Sequence, residues 1–433
     1  MSLFGSLTTA ISGLSAQSRA LGHVSDNVAN SQTIGYKRTD TNFVNYLTQS
    51  SASLHMPGAV VAQPDFTNSV QGTVEQSDDP LALAIGGQGF FSVAAALGVQ
   101  NGQPVFDDRQ FFTRAGDFRL DKDGYLVNGS GYYLQGWPAD AAGNPDRTTL
   151  APIRVNQQVF NPIATGRVEL AANLPADPTT APISTQLQVY DTLGRRHTVN
   201  LTFTATGADQ WDLSVDVPDD VATPARGTVQ LQFGAAATPA AADGTIGSFG
   251  TATGSITAPA AVPGDPAEIT FTADFGEGPQ TMTLNLGAFG VAQGLTQYAD
   301  KEFAVRNLLQ DGVPLGAYAG LTMRENGDVV VNYDNGQNRV IARVPLVAFS
   351  DPDKLQRLDG QAFMRTLESG EARVTDPASN GVGKLITGSV ERSNVDIAAE
   401  FTKLIVAQRA YTANTRIVSA SDEMLQDTIN MRR

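Results

Sequence analysis

The histidines are the first residues to test for chemistry, because imidazole can act both as a general base and as a metal ligand. The 433-residue chain has three of them, His23, His55 and His197, and they are far apart in sequence. His23 and Asp26 are close together, but two ligands fall short of the full set that a zinc site needs. We therefore predict no metal site and interpret each histidine as an ordinary surface or interface residue.

Two glycine-containing loops could bind a cation or a phosphate group, and neither has the complete pattern. Asp121-x-Asp123-Gly124 has the first carboxylates of a calcium loop without its third ligand or its closing glutamate. Gly86-Gly87-Gln88-Gly89 is not followed by the Lys-Ser or Lys-Thr pair of a phosphate-binding loop. We interpret the first as a hairpin turn and the second as tight turns between strands. The sequence thus predicts no catalytic residue, no cofactor and no enzymatic activity.

Charge is distributed unevenly along the chain, whose net charge is −15. Residues 1–50 carry three basic and two acidic side chains, and residues 391–433 carry six of each. The middle is therefore acidic, while the nearly neutral ends can pack against copies of themselves without strong repulsion. The chain has no basic stripe to neutralise phosphates, which argues against nucleic acid as a partner.

The sequence also lacks the signals of disulfide bonding, membrane insertion and signal cleavage. It has no cysteine, no long apolar run and no basic residue before Arg19. A secretory signal peptide needs a basic segment before its apolar segment, and a membrane helix needs a long apolar run. We predict no membrane insertion and, for a secreted protein, a route that does not read a cleavable signal peptide.

Both ends of the chain have apolar residues at heptad spacing, which is typical of helices that pack against other helices. The pattern predicts helices over residues 3–30 and about 394–431, the second beginning at the capping sequence Ser393-Asn394-Val395-Asp396. The polar Gln17 lies between Ala10 and Val24 in a second seam, and such a weak seam favours self-association. The predicted interface columns are Leu7, Leu14, Leu21 and Val28 at one end, and Ile397, Leu404, Tyr411, Val418 and Leu425 at the other.

Between the helices the pattern indicates β-structure. Residues 36–80 are polar and aperiodic, and we predict an extended connector with short strands there. Glycine-containing turns between apolar runs predict strands around 84–93, hairpins at 118–127 and 187–203, and a meander over 321–344. Residues 234–267 are rich in Ala, Gly, Thr and Pro, and we interpret them as a long surface loop or flexible linker. The alternative is an exposed outer part of a β domain.

Several motifs resemble those of bacterial flagellar rod and hook proteins. Asn27-Val28-Ala29-Asn30 followed by Thr33-Ile34-Gly35-Tyr36-Lys37 is similar to the N-terminal signature of that family. Ser393-Asn394-Val395-Asp396 with Gln408-Arg409-Ala410-Tyr411 is similar to its C-terminal signature, and Thr113-Arg114-Ala115-Gly116-Asp117-Phe118 to its first β-domain motif. Val189-Tyr190-Asp191-Thr192-Leu193-Gly194 and Trp211 resemble the extra outer β domain that hook subunits carry. Residues 234–267 resemble no part of the family.

The resemblance implies an α+β, mostly β fold, with coiled-coil terminal helices forming one core domain and two β domains, one inserted in the other. The expected divisions are a helical core (1–35 and 393–433), an extended connector (36–80), an inner β domain (81–150 and 301–392) and an inserted outer β domain (151–300). The resemblance also implies that the interface columns above, with Gln408, join subunits in the core. Asn27, Asn30 and Gly35 would set the turn out of the first helix. Asn414, Ser421 and Thr428 would mark a channel side or a helix–helix contact.

The function that the resemblance implies is that of a structural subunit of the flagellar hook. The hook is a self-assembled, hollow and flexible helical tube that acts as a universal joint between motor and filament. The implied partners are copies of the chain itself, the rod, hook cap and hook–filament junction proteins, and the flagellar type III export apparatus. The implied location is extracellular, in the hook, after export without a cleaved signal peptide. The alternatives are a distal rod protein of the same family or, from another class, a secreted β-rich adhesin or hydrolase.

Overall fold

The computed structural model describes residues 3–50, 55–100, 102–177, 181–299 and 302–431. It is mostly β, with one long helix at each end, α1 (Leu3–Ala29) and α2 (Ile397–Asn430). This confirms the predicted fold class. The chain divides into two compact units. Unit 1 comprises residues 1–157, 320–332 and 338–433, and unit 2 comprises residues 158–319 and 333–337.

The strands follow one another between the two helices. In chain order they are β1 (Thr39–Ser50), β2 (His55–Phe66), β3 (Val74–Gln76), β4 (Leu83–Gly86), β5 (Phe91–Gln100), β6 (Gln103–Phe106), β7 (Phe111–Thr113), β8 (Arg119–Leu120), β9 (Leu126–Val127), β10 (Tyr132–Pro138), β11 (Ala151–Pro152), β12 (Arg167–Pro175), β13 (Ile183–Tyr190), β14 (Arg196–Gly207), β15 (Gln210–Asp216), β16 (Ala225–Phe233), β17 (Ile246–Ala252), β18 (Pro266–Asp274), β19 (Pro279–Ala288), β20 (Leu295–Tyr298), β21 (Ala304–Gln310), β22 (Tyr318–Met323), β23 (Asp328–Tyr333), β24 (Asn338–Arg343), β25 (Leu346–Ala348), β26 (Gln356–Leu358), β27 (Ala362–Met364), β28 (Arg373–Thr375), β29 (Lys384–Thr387) and β30 (Ser389–Glu391).

Unit 1 combines both helices with a β body. Its largest sheet has the strand order β22-β23-β24-β10-β5-β7-β27-β26, with β6, β8, β9 and β11 paired at its sides. The predicted hairpin of β8 and β9 and the predicted meander of β22 to β24 lie in this sheet. Phe90, Phe112, Phe349 and Phe363 form part of its core, with ring centroids 4.8–5.9 Å apart in edge-on pairs. Edge-on packing of this kind adds to the stabilisation from area burial alone.

Residues 36–80, predicted to be an extended connector, contain a long β-hairpin. β1 pairs antiparallel with β2 from Thr39 opposite Phe66 to Ser50 opposite His55. Arg19 and His23 of α1 contact this hairpin, since Arg19 donates to the Ala62 carbonyl at 3.5 Å and His23 Nδ1 lies 2.8 Å from Thr41 Oγ1. The length of this hairpin could not be predicted from its polar, aperiodic sequence. One side of the hairpin faces a helix rather than a continuous apolar core, so its strands lack a regular apolar pattern.

Unit 2 is built from two five-stranded sheets that share one apolar core. One sheet has the order β13-β14-β15-β16-β17, and the other has the order β18-β19-β12-β20 with β21 paired to β12. Trp211, Phe203 and Phe233 are fully buried between them. The predicted hairpin of β13 and β14 pairs from Ile183 opposite Phe203 to Tyr190 opposite Arg196. Alternating burial along β15 and β18 is the pattern of strands with one face in a core.

The interpretation of residues 234–267 as a loop or linker is wrong. They include β17, which pairs with β16, and they bury Ile246 and Ile256 in the core of unit 2. Small residues are needed here because the backbone packs closely. A Cβ on Gly247 would lie 2.4 Å from the Cβ of Ala237. The composition that suggested a flexible linker therefore includes a tightly packed strand of the β unit, with exposed turns on both sides of it.

Candidate assembly site

The two terminal helices pack against each other through small side chains. Gly13 of α1 faces Asn414 of α2 so closely that a Cβ on Gly13 would lie 2.9 Å from Asn414 Nδ2. Asn27 of α1 bonds to Glu400 of α2, so the helices run antiparallel. The distance between two packed helix axes depends on the side chains at the contact, and small residues permit a short distance. The other buried residues of these helices are Ala10, Ala16, Ala20 and Val24 on α1, and Ala407 and Ser421 on α2.

The predicted interface columns lie beside this contact. Leu7, Leu14, Leu21, Val28, Leu404, Val418 and Leu425 are half-buried. Ile397 and Tyr411 are 40% and 42% exposed, and Gln408 is also exposed. Asn414 and Ser421 lie at the helix–helix contact, whereas Thr428 is exposed. A role for the columns between copies of the chain stays a prediction.

The exposed face of the first half of α1 carries no charged side chain. Its residues, Phe4, Thr8, Ile11, Ser15 and Ser18, follow one another at helical spacing, and the charged residues Arg19 and Asp26 are exposed only further along the helix. The free face of a helix in a soluble protein is normally charged or strongly polar. A neutral face with two large apolar side chains is instead typical of a helix that another molecule covers.

The apolar surface of α2 is wider than its contact with α1. Ile405, Val406, Ile417 and Met424 are each about half or more exposed. Ile417 and Met424 are seven residues apart and therefore lie on the same side of the helix. The remaining exposed large apolar residues of α2 are Ile397, Phe401, Tyr411 and Ile429, and Met431 follows its last residue. Contiguous exposed apolar surface of this kind marks an interaction site.

Asn27 holds the turn out of α1 with all of its hydrogen-bonding groups. Its Nδ2 donates to the Thr39 carbonyl at 2.9 Å and to Glu400 Oε2 at 3.1 Å. Its Oδ1 accepts from the Thr39 N–H at 2.9 Å and from the Tyr36 hydroxyl at 3.1 Å. The side chain is 1% exposed. One amide thus ties together the end of α1, the start of β1 and the first turn of α2.

The other two predicted turn residues have simpler roles. Asn30 donates to the Asp26 carbonyl and accepts from the Thr33 hydroxyl, both within the turn itself. Gly35 has φ +70° and donates its N–H to the Glu391 carbonyl at 2.8 Å. A Cβ there would lie 2.5 Å from the backbone nitrogen of Ala115. Glycine is required at position 35 for both its conformation and its close approach.

Asn27→Ala is expected to lower the free energy of unfolding of unit 1 by about 2 kcal/mol or more, because it leaves buried polar partners unpaired. Asn30→Ala is the matched control and is expected to cost about 0.5–1 kcal/mol, since its bonds are local and partly solvated. Trp137 lies in unit 1 and Trp211 in unit 2. Fluorine NMR of fluorotryptophan-labelled protein in a denaturant series therefore follows each unit separately. An equal loss of unfolding free energy in the two variants would contradict the conclusion that the hydrogen bonds of Asn27 hold the turn together.

A buried charge cluster lies next to this turn. Glu391, in β30, is fully buried and pairs with Lys37 Nζ at 2.5 Å and with Arg114 Nη1 at 2.9 Å. The Gly72 N–H donates to the same carboxylate at 2.8 Å. Lys37 also donates to the Val70 carbonyl at 2.7 Å, and Arg114 to the Gly87 carbonyl at 2.8 Å. Each of these groups that contacts the carboxylate is therefore a hydrogen-bond donor.

The cluster shifts the ionisation of its members. Burial alone raises the pKa of Glu391, but the charges of Arg114 and Lys37 and the Gly72 N–H outweigh it, and the net shift is downward. Burial lowers the pKa of Lys37 to about 8, against the attraction of Glu391 and with a further contribution from the nearby Arg114. At neutral pH the buried carboxylate is therefore ionised between two cations.

Two further side chains clamp the same segment of chain. Arg357 donates to the carbonyls of Lys37 and Arg38 at 2.7 and 2.9 Å, and its guanidinium lies 4.6 Å from the ring centroid of Phe66. Asn394, between β30 and α2, accepts from the Arg38 N–H at 2.7 Å and donates to the Val70 carbonyl at 3.2 Å. The start of α2 and the end of α1 are thus fixed to the strands that follow them.

The predicted cap of α2 is displaced by three residues. Ser393 does not cap the helix. Asp396 is the N-cap, and its carboxylate accepts from the N–H groups of Ala398 and Ala399. An aspartate in this position also interacts favourably with the positive end of the helix. Ser393 is held in the preceding segment, where its hydroxyl accepts from the Val395 N–H.

The structure places the residues tested first for chemistry in structural roles. His197 stacks on Phe275 with ring centroids 3.9 Å apart and lies between Asp191 and Asp219. The side chain of His55 lies outside the described residues. Asp121 accepts hydrogen bonds from the N–H groups of Asp123 and Tyr125, so the Asp121-x-Asp123-Gly124 segment forms the hairpin turn that was predicted. Gly87 and Gly89 both have positive φ, between β4 and β5.

Among the described residues, no three or more His, Asp or Glu side chains are grouped closely enough to hold a metal ion. Neither described helix has a stretch that is long and apolar enough to cross a membrane.

Models of four protein families match consecutive parts of the chain. The family described as Flagella basal body rod protein matches residues 7–37, and Flagellar hook protein FlgE/F/G D1 domain matches residues 84–189. Flagellar basal body protein FlaE D2 domain matches residues 160–313, and Flagellar basal body rod FlgEFG protein C-terminal matches residues 386–431. Together they include most of α1, all of α2 and the body of unit 2.

Curated relatives match over the full length. A flagellar hook protein from Brucella abortus is 33% identical, and one from Rhizobium meliloti is 32% identical, each over 100% of both chains. One from Salmonella typhimurium is 28% identical over 99% of this chain and 100% of its own. A solved structure of a Helicobacter pylori flagellar hook protein has a TM-score of 0.47 and 13% identity, covering 72% of this chain and 98% of that one.

Proposed function

The chain belongs to the flagellar hook protein family, and from that premise we propose how its parts assemble and carry load. It is a structural subunit of the bacterial flagellar hook, extracellular in location, and not an enzyme. Neither the distal rod protein nor the secreted adhesin or hydrolase matches this assignment. The proposal concerns which surfaces join the copies, how force passes through a subunit, and which other proteins it meets.

Copies join through the helical core, residues 1–35 and 393–433. The observation that carries this proposal is the uncharged exposed face of the first half of α1, with Phe4 and Ile11 on it, beside the broad apolar face of α2. Burying each large aliphatic side chain contributes about 1.5–3 kcal/mol. The half-buried columns that begin at Leu7 and Ile397 would complete the contacts between copies in a hollow helical tube.

Force passes from the inner β domain into the helical core through the buried charge cluster. Lys37 follows α1, Glu391 precedes α2, and Arg114 belongs to the β body, so the three side chains connect both helices to that body. Buried ion pairs hold a defined geometry, because any displacement leaves a charge without a partner. The inner β domain that the resemblance implied is 81–150 and 301–392, and we propose this role for its residues in unit 1, since residues 301–319 and 333–337 belong to unit 2. Such a joint would let the hook twist as a unit while it transmits torque.

The inserted outer β domain, residues 151–300, has a different role in this proposal. Unit 2 carries seventeen acidic and six basic residues, so like charge limits close packing between its copies. Weak contacts between outer domains would allow them to slide as the tube bends. A tube with a stiff helical core and outer domains that slide past one another can bend while it transmits torque, as a universal joint does.

The proposed partners follow from the position of a hook in the flagellum. They are the rod, the hook cap, the hook–filament junction proteins and the flagellar type III export apparatus, which would export the chain without cleaving a signal peptide. The absence of cysteine suits passage as an unfolded chain, since no disulfide can form on the way.

The direct test of assembly is electron microscopy of the purified chain after concentration with ammonium sulfate, an excluded salt that strengthens apolar burial. We expect curved hollow tubes. Straight tubes would contradict the flexible joint but not the helical core. A chain that stays monomeric with both termini intact would contradict the assembly proposal.

A further inference from the structure

An open groove runs between α1, β1 and α2. Its volume is about 590 Å³. Its apolar lining includes Ala20 and Val24 of α1, Phe43 of β1, and Val406 and Ala407 of α2. Phe43 and Val406 are 43% and 61% exposed, so the subunit leaves the groove uncovered. An apolar groove of this size between helices is suited to the apolar face of another helix.

The charges at the rim of the groove are already paired with one another. Lys403 Nζ lies 2.5 Å from Asp40 and 2.7 Å from Glu400, and Arg38 lies 3.2 Å from Asp40. An incoming segment therefore need not supply a charge. A charged one would leave its own charge without a partner in an apolar site, at a high cost in free energy. The groove thus selects for a neutral apolar segment.

The N-terminal half of α1 is such a segment. Residues 3–18 contain no charged side chain, and Phe4 and Ile11 are 67% and 53% exposed. The hydroxyls of Thr8 and Thr9 donate to the carbonyls of Phe4 and Gly5, both at 2.9 Å. Thr8 lies between Phe4 and Ile11 on the exposed face, so burial of these two apolar side chains would leave its hydroxyl paired.

We propose that the groove receives Phe4 and Ile11 of a second copy of the chain. Seven residues separate these two side chains, which is about 10 Å along a helix. The α2 wall of the groove, from Ala399 to Ala407, is of similar length. This inference rests on the proposed assembly through the helical core and adds which segment binds where. Each copy would donate the start of α1 and accept the start of another, so the contact can repeat along a polymer.

The far end of α2 fits the groove less well. It carries Asp422, Glu423 and Asp427 around Met424, and these carboxylates would approach the Asp40 and Glu400 side of the rim. The start of α1 has no such charges, which is the reason for choosing it as the occupant.

The absence of native cysteine permits a clean cross-linking test. Ile11→Cys and Val406→Cys are made separately, and both positions are exposed, so each variant should fold. The two purified variants are mixed, polymerised and treated with a short bismaleimide. We expect cross-linked dimers in the mixture that are at least about tenfold more abundant than in either variant alone. Met424→Cys mixed with Val406→Cys is the matched control.

The outcomes separate this inference from the assembly proposal, because sedimentation of the same samples reports polymer formation. Polymer without the 11–406 cross-link, or with a stronger 424–406 cross-link, would overturn the docking inference and leave assembly standing. In support, Ile11→Ser should raise the concentration needed for polymerisation by about tenfold to a hundredfold. Ser15→Ala, on the same face outside the proposed contact, should leave it unchanged. Failure of the wild-type chain to polymerise would instead count against the proposed function.

Discussion

Glu391→Gln is expected to lower the free energy of unfolding of unit 1 by about 3–5 kcal/mol at neutral pH, because it leaves two buried cations without their carboxylate. The amide has nearly the same shape as the carboxylate, so the loss measures charge rather than packing. Lys37 and Arg114 are both almost fully buried and pair with the two oxygens of Glu391. The measurement is denaturant unfolding followed by the resonance of fluorotryptophan at Trp137.

The stability lost in Glu391→Gln should depend on pH, because the members of the charge cluster are titratable. The folded pKa of Glu391 is below its ordinary value of 4.5, so its stabilisation is present above that pH and is lost as the pH falls through the folded pKa. Glu391→Gln should remove this acid-dependent component. Glu391 holds the pKa of Lys37 up at about 8, so without that carboxylate Lys37 releases its proton at a lower pH and relieves part of the unpaired charge. The destabilisation of the variant should therefore shrink as the pH rises towards 8 and stay constant above it, where Lys37 is neutral in both proteins.

Glu371→Gln is the matched control for the charge cluster. Glu371 pairs with Arg365 in the same unit, but its side chain is 85% exposed. Exposed ion pairs often contribute nothing measurable to stability. A loss in Glu371→Gln as large as that in Glu391→Gln, or no loss in Glu391→Gln, would contradict the role of the buried cluster as a rigid joint.

The double variant Ile417→Glu, Met424→Glu is expected to abolish polymer formation without unfolding the subunit. Both side chains are about half exposed on α2, and glutamate is a good helix former. Burying two carboxylates in an apolar contact costs far more than the 1.5–3 kcal/mol lost with each apolar side chain. The polymerisation threshold should therefore rise by more than about a hundredfold. Sedimentation measures the threshold, and circular dichroism confirms that α2 remains folded.

Thr412→Glu is the control on the same helix. Thr412 is exposed and lies within one turn of Arg409 and Arg416, where an added carboxylate is well tolerated. It should polymerise like the unmodified chain. If both the double variant and the control assemble normally, the apolar face of α2 does not lie between copies.

The elements that could be predicted from the sequence are those whose signal is local. Heptad spacing predicts both helices to within a few residues of their ends, and Asn326-Gly327 predicts the turn between β22 and β23, where Gly327 has φ +92°. The side of α1 that packs against α2 was harder to predict, because the columns that begin at Leu7 and at Ala10 have the same heptad spacing. The side with the smaller residues packs against α2, since Gly13 and Asn414 approach too closely to leave room for a larger side chain.

The charge cluster could not be predicted because its members are remote in sequence and follow no period. Lys37 and Glu391 are 354 residues apart, and Arg114 is 277 residues from Glu391. A charged residue normally indicates the surface, so nothing marks these three as buried. One signal was available, since Lys37 and Arg114 both lie inside the family motifs. Charged residues within such motifs could have been tested as a set.

Electron cryomicroscopy of the assembled polymer tests the central claim most directly. The account predicts that α1 and α2 of each copy lie between neighbouring copies, with Phe4, Ile11, Ile417 and Met424 at those contacts. It also predicts that the Lys37–Glu391–Arg114 cluster stays intact within each subunit. A polymer in which the exposed faces of α1 and α2 point to solvent, and only unit 2 joins the copies, would contradict it.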